Sequence, residues 1–471
     1  MENEKPDRVD MNSLFRAPAA ARAARSLDRS LFSSTLPSTA AAVRDNRLLS
    51  RYLKELRGTR ELLHVEKMAP IVSHPDPSLA KQGQKCLVLH PSVKPSGEFP
   101  ELPDSVLRNA VQSGDLSLIP YNLDINYNNW GYVDILKAIL PEDLRDEVPS
   151  GFNSAGHVAH LNLRNQYLPY KQVIAQVILD KNPHIKTVIN KTDNVGTENE
   201  FRTFSYEVLA GPDDLNVEVR ESGCVFAFDY AKVYWNSKLS NEHERIASLF
   251  KSGEVVADVM AGIGPFAVPS GKDGVFVWAN DKNPESYRYL ETAIQKNKVS
   301  QFVKPFNCDA HQFIREAADL VLEASQRGDH AVVKPAKVSR TSKEPKPKPV
   351  HVPVPPTISH FVMNLPASAI EFLHNFRGVY EGHEDLFAPH TQTSLPMIHV
   401  HCFAPKPNND TAVQGVLDRI EKEIGVRLEP SSSGDEEGKA YFHEVRDVAP
   451  NKLMFCVDFR LPRQVAFAPR A

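Results

Sequence analysis

From Glu254 onward the sequence alternates short apolar runs with amphipathic stretches, and this alternation limits the fold more than any other feature. The apolar runs predict buried strands at Val255–Met260, Val275–Asn280, Val303–Cys308, Phe361–Asn364 and Ile398–Phe403. The amphipathic stretches predict helices, among them Glu285–Lys298 and Thr411–Val426. Strands that alternate with helices form a parallel sheet with helices on both faces. We therefore predict an α/β fold with a doubly wound sheet, which ends in two adjacent strands at Tyr441–Val448 and Lys452–Leu461.

The chain of 471 residues is longer than one typical domain. We predict a disordered or targeting tail over residues 1–45, an N-terminal domain over 46–150, a mixed α+β middle domain over 151–235 and the doubly wound domain over 236–471. Residues 327–356 are rich in Lys and Pro and cannot bury much apolar area. They predict a disordered insertion in the last domain, either a solvated spacer or a contact for RNA phosphates.

Composition excludes several classes of protein. The longest apolar runs are too short for a membrane span. The five cysteines are scattered and form no CxxC pair, so a zinc site of that type is not expected and the thiols are predicted to be reduced and intracellular. A formal net charge of −4 excludes a uniformly basic nucleic-acid coat, although a local basic patch is compatible with it. We expect a monomer.

The first residues allow two interpretations. Between Met11 and Arg44 there are five arginines and one acid, Asp28, which is the composition of a mitochondrial presequence if translation starts at Met11. Read from Met1, the segment opens with acidic residues that do not suit import. We expect the cytoplasm and nucleus, with a mitochondrial matrix pool as the alternative; a tail without any targeting role fits the same composition.

A glycine turn follows the first strand of the doubly wound domain, at Asp258-Val-Met-Ala-Gly262-Ile-Gly264. Its two glycines permit a tight turn and a close approach of the backbone to a ligand. The third glycine of a dinucleotide fingerprint is replaced by Ala267, which argues against a dinucleotide.

Acidic residues end three successive strands. Asp281 lies 19 residues after Gly262, where a carboxylate can accept hydrogen bonds from ribose hydroxyls. Asp309 follows the third strand, where it can bind an adenine amino group. Each acid alone could equally cap a helix. Together, without a phosphate-binding lysine motif, they favour S-adenosylmethionine as cofactor. The predicted cofactor site has these members: Asp258, Gly262, Gly264, Asp281, Lys282, Asp309, Ala310 and Asn364.

Asn364 begins an Asn-Leu-Pro-Ala turn after the fourth strand. Its amide can read the edge of a nucleobase or hold the cofactor. The alternative is an ordinary strand-to-helix turn with Asn as the cap.

Several segments resemble the eukaryotic and archaeal tRNA (guanine-37 N1) methyltransferases, over about residues 155–465. The resemblance is carried by HLNLRNQYLPYK (His160–Lys171), LDKN (Leu179–Asn182), TVINK (Thr187–Lys191), FRTFSYEVLAG (Phe201–Gly211), KVYWNSKLSNEHER (Lys232–Arg245), VADVMAGIGPFAVP, NCDAH and MNLPASAIEFL. The resemblance implies a Rossmann-like class I methyltransferase domain. It also implies transfer of a methyl group from S-adenosylmethionine to N1 of the guanine 3′ of the anticodon, which supports reading-frame maintenance, and an N-terminal domain that docks on tRNA.

The resemblance also assigns roles to residues. Neutral guanine carries a proton on N1, so a base must remove it, and negative charge then builds on O6. Glu242 matches the family's proposed general base, and Arg202 matches the arginine that donates to O6. Asn364 would position the guanine and the cofactor, and His243 stands where the family has a cofactor-contacting residue. From helical spacing alone, either Glu242 or Glu244 could face the site; we expect Glu244 to form a solvated pair with Arg245.

Other functions share parts of this pattern. A wybutosine-pathway transferase uses the same cofactor and tRNA but moves an aminocarboxypropyl group. The presence of Arg202, Glu242 and Asn364 together favours methyl transfer. A non-catalytic tRNA-binding module would be expected to lack the cofactor acids or Asn364. A protein methyltransferase does not fit the similarity of the middle domain to tRNA-modifying enzymes.

Overall fold

The computed structural model describes residues 18–59, 61–63, 68–96, 105–192, 201, 203–333, 348–406 and 409–470. The chain divides into two compact units. The first extends to Phe152 and also takes in His160–Asn190 and Val208–Pro212. The second comprises Asn153–Ala159, Lys191–Glu207 and the chain from Asp213 onward.

The first unit is built on a four-stranded sheet, in the order β2-β3-β1-β4. Its strands are antiparallel to one another: β1 Ser34–Val43, β2 Ile71–Ser73, β3 Lys85–Val88 and β4 Leu116–Ile125. Its helices in this part of the chain are α1 Leu49–Leu56, α2 Pro77–Lys81, α3 Val106–Gln112 and α4 Tyr132–Ile139. Apolar residues of β1, β3, α1 and α3 form one continuous core.

The predicted disordered tail over residues 1–45 is wrong from Ala21 onward, because Ala21 and Phe32 are buried and Ser34–Val43 forms a strand. Strand β1 lies between β3 and β4, and its last six residues are buried. The sequence indicates this strand only weakly because Ser, Thr and Ala make up most of it, with Pro37 in its middle, so it lacks a run of large apolar residues. Residues 1–17 lie outside the described part of the chain.

The next segment contains short strands and one helix. They are β5 Asn153–Ala155, β6 Val158–Leu161, α5 Lys171–Lys181, β7 Thr187–Lys191, β8 Tyr206–Ala210, β9 Asn216–Glu221 and β10 Cys224–Asp229. Strands β9 and β10 form the predicted hairpin, and Ser222 and Gly223 at its turn both have positive φ. The prediction of one middle domain over 151–235 does not match the compact units, since the chain passes between them several times in this range.

The second unit contains the predicted doubly wound sheet. Its eight strands run in the order β13-β12-β11-β16-β17-β20-β19-β18. Strands and helices from Ser240 onward are α6 Ser240–Ala247, β11 Val255–Asp258, α7 Ala267–Lys272, β12 Phe276–Asn280, α8 Pro284–Asn297, β13 Val303–Phe306, α9 Ala310–Gln326, β14 His330–Val333, β15 Val350–Pro353, β16 His360–Met363, β17 Met397–Pro405, α10 Asn409–Ile424, β18 Glu429–Ser431, β19 Lys439–Ala449, β20 Lys452–Arg460 and α11 Arg463–Ala466.

The direction of the strands explains where a ligand can bind. Strands β13, β12, β11, β16 and β17 are parallel, and β20 is antiparallel to both β17 and β19. The chain reverses its order across the sheet next to β11, because β12 pairs on one side of it and β16 on the other. Such a reversal opens a crevice at the carboxyl ends of the strands.

The predicted insertion over 327–356 is partly ordered. Strands β14 and β15 pair antiparallel with one another, so the two ends of the segment form a two-stranded ribbon. The prediction of disorder is therefore wrong for these ends, whose strands each contain two valines, a residue type that favours β structure. Residues 334–347, which hold four of the segment's five lysines and three of its seven prolines, lie outside the described part.

Across the described ranges, every helix is too short or too polar to cross a lipid bilayer.

Candidate active site at the carboxyl edge of the second unit's sheet

A cavity of about 390 Å³ opens where β11, β12, β13 and β16 end. Its wall includes the loops that follow these four strands, together with residues that precede and begin α6. The lining residues are Phe201, Tyr234, Trp235, Asn236, Leu239, His243, Val259–Ile263, Pro265, Phe266, Asp281–Asn283, Ser286, Asp309–His311, Asn364, Leu365, Ser368 and Phe372.

The glycine turn after β11 shapes one wall of this cavity. Gly262 lines it with φ +57, and a Cβ there would meet no atom within 4 Å, so the turn leaves room for a ligand. Gly264 has φ +93 but does not line the cavity. A Cβ there would come within 2.7 Å of the Leu290 side chain, so this glycine is needed for the packing of the turn, and its role in ligand binding stays a prediction.

Asp281 lies at the surface of the cavity, whereas Asp258 is buried behind it. Asp281 lines the cavity, and its carboxylate accepts hydrogen bonds from the backbone N–H groups of Gly262, at 2.8 Å, and Asn283, at 2.9 Å. Burial raises the pKa of Asp281, although these hydrogen bonds oppose the effect. Asp258 is fully buried and does not line the cavity, which corrects its prediction as a cofactor contact. Burial and the nearby charge of Asp281 raise the pKa of Asp258 well above its usual range.

Asp309 is both a helix cap and a cavity residue. One carboxylate oxygen accepts a hydrogen bond from the His311 N–H at 2.9 Å and so caps α9, while the other lies 3.0 Å from Lys282 Nζ. Lys282 and Ala310 line the cavity beside it, a position compatible with the predicted cofactor contact. The two readings of Asp309, as cap and as ligand residue, are compatible because the cap uses only one of its oxygens.

His243 lines the cavity from helix α6. Its Nδ1 lies 2.6 Å from a carboxylate oxygen of Glu221, at the end of β9, and its ring packs edge-on against Phe266. The neighbouring carboxylate fixes the orientation of the imidazole and leaves its other ring nitrogen for a further partner.

Glu242 lies outside the set of residues that line the cavity, although it was predicted as the general base. It is 4% exposed and binds Arg245 through both carboxylate oxygens, at 2.7 and 2.8 Å. His401 Nε2 lies 2.8 Å from the same carboxylate. Burial disfavours the ionised form, but the hydrogen bonds from Arg245 and His401 outweigh it and lower the pKa of Glu242 to about 2.

The predicted pair of Glu244 with Arg245 is wrong. Glu244 is exposed, whereas Arg245 turns inward to Glu242, because residues three apart on a helix lie on the same face. Arg245 also lies 3.3 Å from Asp458, and Asp458 lies 2.7 Å from His399. His399 Nε2 in turn lies 2.9 Å from His360 Nδ1. We call the set Glu242, Arg245, His360, His399, His401 and Asp458 the buried ion network.

Asn364 lines this cavity and a smaller one of about 130 Å³ beside it. Its amide oxygen is buried and has no hydrogen-bond partner among the described residues. A buried polar atom of this kind normally has a partner, so the position suits a donor on a ligand. The second cavity shares Tyr234, Asn236, Leu239 and Asn364 with the first and is completed by Pro366, Phe403, Arg446, Val448 and Met454.

Sequence reasoning missed much of the apolar lining. Met260 and Phe266 flank the glycine turn, and Phe372 follows the Asn-Leu-Pro turn. The signal was their position directly beside recognised motifs, but apolar residues there are also expected in a core. Trp235 combines both roles, since it packs against Phe226 and Phe228 and lines the cavity. The predicted catalytic Arg202 lies outside the described residues.

Comparison with protein families finds two matches. A model described as the TRM5/TYW2 methyltransferase domain matches residues 217–338. A model described as the TYW2 N-terminal domain matches residues 132–214.

Similar proteins extend over nearly the whole chain. The chain is 66% identical over 462 residues to a tRNA (guanine(37)-N(1))-methyltransferase of Fusarium vanettenii, which covers 98% of each chain. It is 57% identical over 458 residues to the protein of that name from Neurospora crassa, which covers 97% of this chain and 96% of the relative.

Solved structures share the fold. Trm5b from Pyrococcus abyssi superposes with a TM-score of 0.55 at 22% identity, covering 90% of this chain and 99% of that one. A Trm5 in complex with tRNALeu superposes with a TM-score of 0.56 at 17% identity, covering 90% of this chain and 100% of that one.

Proposed function

Because the chain belongs to the tRNA (guanine(37)-N(1))-methyltransferase family, we propose that the two adjoining cavities of its second unit are the active site. The enzyme transfers a methyl group from S-adenosylmethionine to N1 of guanine 37 of tRNA. The observation that carries the assignment to these cavities is Asn364. It lines both of them and presents a buried amide oxygen without a described partner at their junction.

The larger cavity suits the cofactor. Asp281 offers carboxylate oxygens for ribose hydroxyls. One oxygen of Asp309 caps α9, and the other, which contacts Lys282, is not used by the helix. A binding site for a phosphate group would be expected to avoid two carboxylates, whereas a cationic cofactor without phosphate is favoured by them. When bound, S-adenosylmethionine supplies an electrophilic methyl group on a sulfonium centre. His243 and Ala310 complete the set of residues that would hold it.

The smaller cavity suits the guanine base. Its wall is mainly apolar, with Leu239, Pro366 and Phe403, and its polar groups include Asn364 and Tyr234. An enzyme that acts on a nucleobase must receive that base outside the helical stack. An apolar slot with a few polar groups binds the faces of such a base and reads its edge.

Glu242 is the proposed general base because it matches the family's motif. Its low pKa keeps it ionised, as a base must be, but the bonds to Arg245 and His401 also make it a weak proton acceptor. Glu242 must therefore exchange one of these bonds for the guanine N1 proton when tRNA is bound. Arg202 is proposed to donate to O6 on the strength of the same resemblance.

Product analysis tests the function. The purified protein is incubated with labelled S-adenosylmethionine and an unmodified tRNA transcript that has guanine at position 37, and the modified nucleoside is identified by mass spectrometry. We expect 1-methylguanosine, and no label in a transcript with adenine at that position. An aminocarboxypropyl product would assign the chain to the related TYW2 reaction, and the absence of any product would contradict both.

We also propose that the first unit docks on the body of the tRNA. The support is its separate core and the lack of any cofactor cavity residue within it. A fragment that begins at Asn153 should bind tRNA more weakly than the full chain at matched salt. This fragment keeps His160–Asn190 but lacks most of the first unit, so its folding must be checked. Calorimetry that shows normal S-adenosylmethionine binding provides this check. Equal tRNA affinity would contradict the docking role.

A further inference from the structure

Arg446 is the cationic side chain in the wall of the smaller cavity, and the catalytic proposal gives it no role. It stands on β19 next to a register shift, where pairing with β20 moves between Glu444 and Arg446 and again between Asp447 and Ala449. Such bulges redirect side chains and are frequent beside active sites. Here the irregularity places Arg446 opposite Met454, and both line the cavity.

The charge of Arg446 is not neutralised by a described carboxylate. Its Nε donates to the backbone carbonyl of Asp447 at 3.0 Å, which tethers the side chain but leaves the terminal guanidinium nitrogens for another partner. The carboxylate of Asp447 is instead bound by Lys406 Nζ at 2.7 Å. Among the described residues, no carboxylate forms an ion pair with Arg446, not even that of the adjacent Asp447.

A second cation borders the same wall. Lys452 begins β20, and its Nζ lies 3.9 Å from the centre of the Phe403 ring. Phe403 lines the cavity, so the Lys452 ammonium group contacts one of its wall residues. Arg446 is partly exposed and Val448 is 41% exposed, which places this end of the hairpin at the mouth of the cavity rather than at its floor.

We propose that Arg446 binds a backbone phosphate of the tRNA beside the nucleotide whose base enters the smaller cavity. When a base is turned into a pocket, its phosphates stay outside, at the mouth. A guanidinium presents two parallel donors that match the oxygens of a phosphate, and one held by its own backbone loses little further freedom on binding. Arg446 is thus a substrate-binding residue at the β19–β20 hairpin. This inference rests on the proposed function, because it requires the base to occupy that cavity.

The contact predicts a specific signature in binding. Arg446→Ala should weaken tRNA binding by roughly tenfold at low salt and reduce the slope of log Kd against log salt by about 1, as expected for one lost phosphate contact. Transcripts with guanine or adenine at position 37 should lose affinity equally, since a phosphate carries no sequence information. Arg446→Lys should recover much of the affinity because it restores the charge.

The matched control is Lys439→Ala, on the same strand, which pairs with Glu429 and does not line the cavity. It should change neither the affinity nor the slope, and S-adenosylmethionine affinity by calorimetry should be unaltered in all three variants. An Arg446→Ala protein with wild-type affinity and slope would overturn the proposal. So would a loss confined to the guanine transcript and not restored by lysine, which would indicate a contact to the base edge. Failure of the proposed function would appear separately, as a wild-type protein that makes no 1-methylguanosine.

Discussion

Glu242 is the proposed general base, and its carboxylate forms buried ion pairs outside the set of residues that line the cavity. Glu242→Gln should lower the rate of methyl transfer by roughly 10²–10⁴, the usual range for loss of a general base. The amide cannot take the N1 proton, and it also leaves the charge of Arg245 without its closest partner. Single-turnover kinetics at saturating tRNA and cofactor measures the effect.

Two further measurements separate catalysis from stability. Glu244→Gln is the control, because Glu244 is the exposed neighbour on the same helix. Calorimetry should show that Glu242→Gln still binds S-adenosylmethionine, since Glu242 is not a cavity residue. If the variant transfers methyl groups at a near-normal rate, Glu242 is part of the buried ion network and not the base.

Asp281 gives a prediction for the cofactor. Asp281→Ala removes the acceptor that holds the Gly262 N–H and that would bind ribose hydroxyls, so S-adenosylmethionine binding should weaken by ~1–3 kcal/mol, typical for a hydrogen bond to a charged group. Calorimetry measures it, and Asp273→Ala, at the end of α7 and outside the cavity, is the control. Unchanged cofactor affinity would remove Asp281 from the site, whereas tRNA affinity should change little.

Single residues were predictable where local sequence decides their position. Asp281 and Asp309 follow strands whose carboxyl ends must meet, so their place in one cavity follows from the fold class. The ion pairs of Glu242 did not follow, because His401 is 159 residues away and reaches it only through the sheet order. The position of Asp258 was equally unpredictable. Its spacing from Gly262 does not reveal that its side chain is fully buried behind the residues that line the cavity.

At the scale of elements, the buried ion network links α6 to β17 and β20, and it predicts sensitivity to acid. Bonds from Arg245 and His401 lower the pKa of Glu242 from 4.5 to about 2 against the effect of burial. Against burial likewise, the charge and hydrogen bond of His399 lower the pKa of Asp458 from 3.8 to about 2. Because both folded-state values lie below the unfolded ones, the ionised groups stabilise the fold above about pH 4.5. That stabilisation should be lost as pH falls towards 2.

Thermal unfolding across this pH range measures the effect. His360 also makes the fold less stable as pH falls, but at a higher pH. Burial lowers its pKa below 6.5, so the unfolded chain takes up this proton at a higher pH than the folded chain does. Glu242→Gln should show a shallower fall of the melting temperature between pH 4.5 and pH 2 than Glu244→Gln, which keeps the network intact. Parallel curves for the two variants would contradict the assignment of acid sensitivity to the network.

Elements were predictable in proportion to the apolar periodicity of their sequences. The central strands of the second unit are buried on both faces, so they appear as continuous apolar runs, and β11, β12 and β16 were located within a few residues. Strand β1 is equally buried at its end, but Ala and Thr side chains leave no comparable pattern. Its pairing with β3 and β4 is determined by partners that follow it in the chain.

At the scale of the whole molecule, the domain boundaries that we predicted from the sequence do not match the compact units in the middle of the chain. Residues 151–235 were predicted as one domain, yet His160–Asn190 belongs to the first unit and the β9–β10 hairpin to the second. Gly151 and the Gly211-Pro212-Asp213 turn lie at two of these crossings, but similar turns also occur within one unit, as at Ser222-Gly223, so they do not identify a boundary. A boundary that the chain crosses repeatedly can be located only from long-range contacts.

The position of β1 also constrains localisation, for which we propose a cytosolic or nuclear form from Met1 and a mitochondrial form from Met11. The stretch from Met11 to Arg44 has the composition of an import signal, but Ser34–Val43 is a strand of the first unit's sheet. Cleavage within β1 would delete Ala40, Ala41 and Val43 from the interior, so β1 sets an outer limit at Ser34. Ala21 and Phe32 before it are also buried, so a signal that is removed after import is expected to end before Ala21. We expect the mitochondrial form to begin between Met11 and Ala21.

A C-terminal tag with separate substitutions of Met1 and Met11 tests the two starts. Loss of Met11 should deplete the mitochondrial pool and spare the cytosolic one, and loss of Met1 should do the reverse. Sequencing the N-terminus of the mitochondrial form then locates the cleavage. A mitochondrial pool that persists without Met11 would contradict the alternative start, and a mature N-terminus beyond Ser34 would contradict the limit set by β1. The second result would mean that the first unit folds without the strand that joins β3 to β4, and its core would then have to be closed by another segment.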